Sequence, residues 1–232
     1  MEKYPRKLAD IKESSGKIES LIQEVSEAYE KKYQVQFTKD VHVIVGCYGS
    51  NAFTHRQYIP EITFCLEKLS PNTEHLKVII AHEFGHALHN LLSDREGMDW
   101  PSLNWENPYI WLLQEGCATH FSKQVAEAEE SVYFSYDDQG EEWLEFALAN
   151  KQELIRSFIN DRDKQSPREI FNEWFSINGG KKHDYTRLAY FIGYEILQHL
   201  IEKYGELKAV TSWTEPNFNQ EIEQVMKELM EA

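Results

Sequence analysis

The stretch VIIAHEFGHALHNLL, residues 78 to 92, most limits how this chain can fold. It is apolar apart from His82, Glu83, His86, His89 and Asn90. Its flanks VII and ALHNLL are apolar, so it predicts a buried helix. Imidazoles and carboxylates in such a helix are costly unless something partners them. His82, Glu83 and His86 spell H-E-x-x-H. At ~100° per residue, positions four apart lie about 40° apart on one face. Two imidazoles are therefore presented one turn apart, as a metal site needs. Zinc suits the pair, because neutral imidazole is its usual nitrogen ligand and a catalytic zinc keeps one position open for water. Glu83 stands beside the pair, where a carboxylate can act as base on such a water.

A catalytic zinc of this kind needs a third protein ligand. His89 lies only three residues past His86, and three ligands within two turns of a straight helix diverge from a tetrahedral centre. A supporting or packing role is expected for it. The segment WLLQEGCATHFS places Glu115 on a second strongly apolar helix, where a lone carboxylate needs a reason. Gly116 beside it would let two helices approach closely, and Thr119 lies one turn on. Asp94, Glu96, Asp99 and Glu106 are rival carboxylates in the intervening loop. Cys117 reads as core packing, and Trp100, Trp105 and Trp111 as aromatic packing under that loop or as the floor of a cleft.

Elsewhere, Ile18, Leu21, Ile22, Val25, Ala28 and Tyr29 recur at helical spacing. They predict a helix over about 17–33, with Ser14-Ser15-Gly16 interrupting it from a shorter one before. Residues 41–48 and 61–69 read as strands, the second flanked by Pro60 and Pro71. A helix is expected over 72–92, with Asn72 or Thr73 near its N-cap. A loop follows to 107, and then an almost wholly helical pattern at about 108–130, 140–160, 167–175, 184–204 and 217–231. The expected fold class is α+β. A small sheet-plus-helix subdomain, residues 1–92, would be followed by a helical subdomain, residues 93–232, with the active site between them.

The combination of His82-Glu83-x-x-His86 with Glu115-Gly116-Cys117-Ala118 resembles the gluzincin zinc metallopeptidases, which pair an H-E-x-x-H helix with E-G-x-A on a later one. Within that clan the pattern is most similar to the YjaZ-like zinc-dependent proteases. The resemblance covers roughly residues 40–200 and implies a zincin-like fold. It implies His82, His86 and Glu115 as zinc ligands and Glu83 as the catalytic base. Tyr190 and Gly193 match the Y-x-x-G of aminopeptidase-like members, which makes Tyr190 the oxyanion donor, with Tyr194 its competitor and Tyr185 five residues before. It also implies that the strand at 61–67 is an open sheet edge that holds an extended peptide. The chain departs from the clan in its longer gap between His86 and Glu115. The G-x-M-E-N signature is absent, so aminopeptidase activity does not carry over.

The expected function is thus peptide-bond hydrolysis by glutamate-assisted attack of zinc-bound water, with Zn2+ as cofactor and a peptide or protein as substrate. Two other readings fit the residues: a non-catalytic zinc-containing binding protein on a peptidase-like scaffold, and a zinc hydrolase of a non-peptide bond. A net charge of −15 with no basic cluster argues against nucleic acid and anionic membrane as partners. No apolar stretch approaches the ~20 residues of a membrane span. Three cysteines without a C-x-x-C pair do not make a disulfide framework. The first twenty residues lack the apolar core of a signal peptide, and a cytoplasmic protein is expected. The sequence sets no oligomeric state.

Overall fold

The computed structural model describes residues 3–54 and 61–231. The chain divides into two compact units: Met1–Leu91 with Phe121–Gly140, and Leu92–His120 with Glu141–Ala232.

The first unit opens with helix α1 (Lys3–Tyr33), which runs unbroken through Ser14-Ser15-Gly16. The expected interruption is absent because the buried stripe continues across it. Ile11, Ser14, Ile18, Leu21, Val25 and Tyr29 follow one another at three- and four-residue steps and are all buried. Ser14 is small enough to sit in that stripe, and Gly16 is on the open side, with nothing within 4 Å of where a Cβ would be. A single helical glycine costs about 1 kcal/mol, too little to break a helix anchored by tertiary packing.

Three short strands follow: β1 (Val41–Ile44), β2 (Ala52–Thr54) and β3 (Ile62–Cys65). They form one sheet in the order β1-β3-β2, with β1 parallel and β2 antiparallel to β3. All four residues of β3 are buried, which suits a central strand. This corrects the expectation that the 61–67 strand is an open edge. Both of its sides are paired, it ends at Cys65 in a 3₁₀ turn, and among the described residues β2 is an edge strand. The three-residue β2 alternates, with Ala52 and Thr54 buried and Phe53 exposed. Pro60 lies outside the described residues.

Beyond β3, the carboxylate of Glu67 is buried and accepts from the backbone N–H of Gly46 at 2.9 Å and of Tyr48 at 3.0 Å. These bonds pin the turn between β1 and β2. Helix α2 (Thr73–Arg95) then begins where Asn72 Oδ1 accepts from Glu74 N–H at 2.8 Å, as its N-cap position predicts. Residues 78–90 are buried on every side. The Tyr29 hydroxyl donates to the Ala81 carbonyl at 2.8 Å, tying α1 to the middle of α2, and burial pushes that phenol's pKa well up. The short α4 (Val132–Ser135) closes the unit, and Tyr136 after it is left-handed at φ 65°.

The second unit is helical. It contains α3 (Pro108–Ser122), α5 (Glu141–Ala149), α6 (Lys151–Lys164), α7 (Pro167–Trp174), α8 (Leu188–Tyr204), α9 (Glu206–Val210) and α10 (Phe218–Glu231). The helical stretch expected at 108–130 ends at Ser122, and the one at 140–160 is two helices. A capping box starts α7: the Ser166 hydroxyl accepts from Glu169 N–H and the Glu169 carboxylate accepts from Ser166 N–H. The three tryptophans pack the loop before α3. Trp100 and Trp105 are stacked, Trp100 meets Trp213 edge-on, and Trp111 Nε1 donates to the Trp105 carbonyl at 2.8 Å.

Helices α3 and α8 touch backbone to backbone. A Cβ on Gly116 would lie 2.3 Å from the Gly193 carbonyl oxygen, and one on Gly193 would lie 2.2 Å from that of Leu112. Neither helix can keep its position with a larger residue there. Gly116→Ala is expected to cost roughly 1–3 kcal/mol as an overpacked contact. Calorimetry should show Tm falling about 2–4 °C for each kcal/mol. An unchanged Tm would mean that the two helices part without cost.

Candidate metal centre

Helix α2 delivers His82, Glu83 and His86 from its buried middle, at 2%, 6% and 2% exposure. The imidazoles of His82 and His86 stand edge to face with centroids 4.8 Å apart, as expected for side chains one turn apart. His82 and His86, with Glu115 from α3, each offer one ligand atom, and these atoms all lie within 4.8 Å of one another. Glu115 is itself buried at 3% exposure. Two imidazoles and a carboxylate are the donor set of a catalytic zinc with an open position, and all three donors here are buried. The residues therefore fit zinc.

The rival carboxylates Asp94, Glu96, Asp99 and Glu106 are all exposed, though Asp94 stands in the last turn of α2 and not in the loop, where it accepts from Trp100 Nε1 at 2.6 Å. His89 is buried but does not join the donor group. Among the described residues one other group meets the same distance test, Asp40, His42 and Glu61. None of its members is buried, and His42 Nε2 stands 3.6 Å from Glu61 Oε2, which reads as a surface ion pair.

Two residues beside α2 had no signal in the sequence. The Thr54 hydroxyl, at the end of edge strand β2, donates to Glu83 Oε2 at 2.7 Å and lies 3.2 Å from the Glu83 carbonyl. The carboxylate next to His82 is thus held from the sheet. Tyr136 sets its ring edge-on to His82, with centroids 5.4 Å apart. A lone threonine in a three-residue strand and a tyrosine in an irregular turn carry no periodicity that would single them out.

In the second unit, Glu115 owes its position to its neighbour. Gly116 is the residue that seats α3 on α8, and Gly193 is its counterpart. Tyr190 lies one turn before Gly193, partly exposed, with the Arg187 guanidinium 5.7 Å from its ring centre. Tyr194 is also partly exposed, and Tyr185 packs on Phe146 with centroids 4.8 Å apart. Cys117 is buried, and burial pushes its thiol well up, with the Glu206 carboxylate adding to the effect. That fits a packing residue and not a nucleophile.

None of the described helices is long and apolar enough to cross a membrane. Neither a curated protein nor a solved structure matches the chain. The wild type is expected to hold about one tight zinc per chain, and the Glu115→Ala protein to lose it. Elemental analysis after dialysis against a weak chelator checks this, and undiminished zinc would move the third ligand elsewhere. A family model does match, over residues 2–219, and its description is "Putative zinc dependent peptidase (DUF5700)". Nearly the whole sequence is covered, so the chain belongs to this family of zinc-dependent peptidases.

Proposed function

We propose that the chain is a zinc peptidase of gluzincin type, with His82, His86 and Glu115 as ligands and Glu83 as general base. The observation that carries the proposal is the state of Glu83. It is a buried carboxylate on the helix of the two imidazoles, offset by ~100° from His82, and it is oriented by Thr54 at 2.7 Å. A structural zinc site has no use for such a group.

Zinc, when bound, acts as a Lewis acid that makes water nucleophilic at neutral pH and polarises the scissile carbonyl. Glu83 accepts the proton of the attacking water and returns it to the nitrogen of the leaving amine. The Thr54 hydrogen bond at 2.7 Å helps to orient the carboxylate for proton transfer. Tyr190 donates its hydroxyl to the oxyanion, a role in which Tyr194 is its competitor. Strand β2, whose last residue contacts Glu83, is the one beside which an extended substrate backbone would lie.

Glu83→Gln keeps the size and hydrogen bonding of the side chain but removes its basicity. Zinc content should be unchanged while hydrolysis falls by at least about 10²-fold. A Gln variant that cleaves at the wild-type rate would remove Glu83 from the mechanism. Thr54→Val, nearly isosteric, should lower kcat by roughly ten-fold, as loss of a supporting partner does. KM should be little changed, and Thr54→Ser should restore the rate. Tyr190→Phe should lower kcat by about 10²–10³-fold with Tm preserved. If that variant is normal and Tyr194→Phe is crippled, the oxyanion role belongs to Tyr194.

A further inference from the structure

Strand β1 stands at the other end of the sheet order from β2. It pairs with β3 on one side, and among the described residues no strand lies along its other side. Val43, Ile44 and Val45 are 39%, 43% and 53% exposed, the one place among the described residues where three large apolar side chains in succession lie open. Edges of this kind are normally blunted by a lysine, a proline or a bulge. Residues 41–45 contain neither lysine nor proline, and Val41–Ile44 pair with Ile62–Cys65 residue for residue, without a bulge.

The phase of the hydrogen bonds sets which backbone groups of β1 are open. The Ile62 N–H donates to the Asp40 carbonyl at 3.3 Å. Along a strand, the N–H and C=O of one residue point to one side and those of the next residue to the other. Asp40, His42 and Ile44 therefore turn their backbone groups toward β3, while Val41, Val43 and Val45 turn theirs outward. Gly46 continues the alternation: its N–H donates to Glu67 Oε2 at 2.9 Å, and its carbonyl accepts from the Tyr4 hydroxyl. The extended run ends just beyond, at Tyr48, which is left-handed at φ 58°. The outward donors and acceptors are thus those of three valines, with Val43 in the middle.

We infer that this edge pairs with the same edge of a second copy of the chain, antiparallel, about a two-fold axis through Val43. A two-fold dimer needs a self-complementary patch, and this run is one. Val43 lies opposite Val43 of the second copy, and Val41 opposite Val45, each pair exchanging both backbone bonds. The side chains that meet on this face are all β-branched and apolar, the kind that stabilises cross-strand contact. On the other face His42 lies opposite Ile44. Just outside, Asp40 lies opposite Gly46 and Lys39 opposite Cys47, so no charge meets a like charge. Electrostatics favours the same place. A chain of net charge −15 repels its own copy, and residues 41–55 carry no Asp, Glu, Lys or Arg. An extended chain of another kind would have no use for the two-fold match. A strand this short buries less than the ~800 Å² per partner of a standard interface, so the dimer is reversible and concentration-dependent. The inference does not rest on the peptidase reading.

Sedimentation velocity on the full chain, over a series from micromolar to millimolar, should show the mass rising from one chain to two. Val43→Lys sets two ammonium groups face to face across the axis and should weaken the dimer by about ten-fold or more. Val43→Asp should do the same with carboxylates. An equimolar mixture of these two variants should recover the dimer, because each new lysine then faces a new aspartate. Val45→Pro removes an outward N–H and leaves the pairing with β3 intact, so it should also weaken the dimer. It keeps the test open if circular dichroism shows that the Val43 variants do not fold. A monomer at every concentration overturns the inference and leaves this edge to a different extended chain. A dimer that neither Val43→Lys nor Val45→Pro weakens overturns it by placing the contact elsewhere. A mixture that stays monomeric overturns the two-fold register at Val43.

Discussion

Burying ionisable groups in a helix is the constraint on which the arrangement around α2 depends. Residues 78–90 have no solvent-facing side, yet they carry three histidines and a carboxylate. Left alone, each of these groups costs several kcal/mol in an apolar interior. The surroundings answer group by group. Glu83 receives the Thr54 hydroxyl from the sheet, and His82 and His86 present ligand atoms within 4.8 Å of one from Glu115. On the reading proposed above, a cation held at that group would add coordination bonds there, so metal binding would contribute to stability as well as to chemistry.

A second constraint is steric and sits in the other unit. The Gly116–Gly193 contact lets α3 and α8 meet backbone to backbone. The residues of interest flank it: Glu115 is next to Gly116 in sequence, and Tyr190 is one helical turn before Gly193. Backbone contact is a stiff way to set the register of two helices, because it leaves no side-chain rotamers to absorb a shift. The glycines of E-G-x-A and Y-x-x-G are therefore not spacers in this chain. They are the two halves of one contact that fixes the helices bearing the carboxylate and the phenol.

The parts of the molecule legible in the sequence are those where a period or a spacing encodes the structure. Helix α2 and its cap, the loop after it, the helix of Glu115 and most later helices follow from apolar periodicity and from Asn, Pro and Gly at their ends. His82, Glu83 and His86 follow from the helix period alone. Where a choice is made by tertiary contact, the sequence misleads. Ser14-Ser15-Gly16 has the composition of a break, but a buried stripe on either side carries α1 across it. The sheet order is set by which strand is buried on both faces, and three-residue β2 is too short to show a pattern, so β3 was open to being read as the edge. Thr54 and Tyr136 reach α2 from 29 and 54 residues away, distances over which local pattern says nothing.

Strand β2 draws these threads together. Its inner residues, Ala52 and Thr54, are buried, and the second of them spends its hydroxyl on Glu83 rather than on its neighbours in the sheet. Its other edge is not paired by any described strand. An edge strand is normally a hazard, since it invites pairing with any extended chain. On the peptidase reading proposed above, the same strand holds the Glu83 carboxylate. The same three residues thus pair with β3 and hold the Glu83 carboxylate. A strand held along β3 is a rigid support, so the position of Glu83 comes from α2 and its orientation from the sheet.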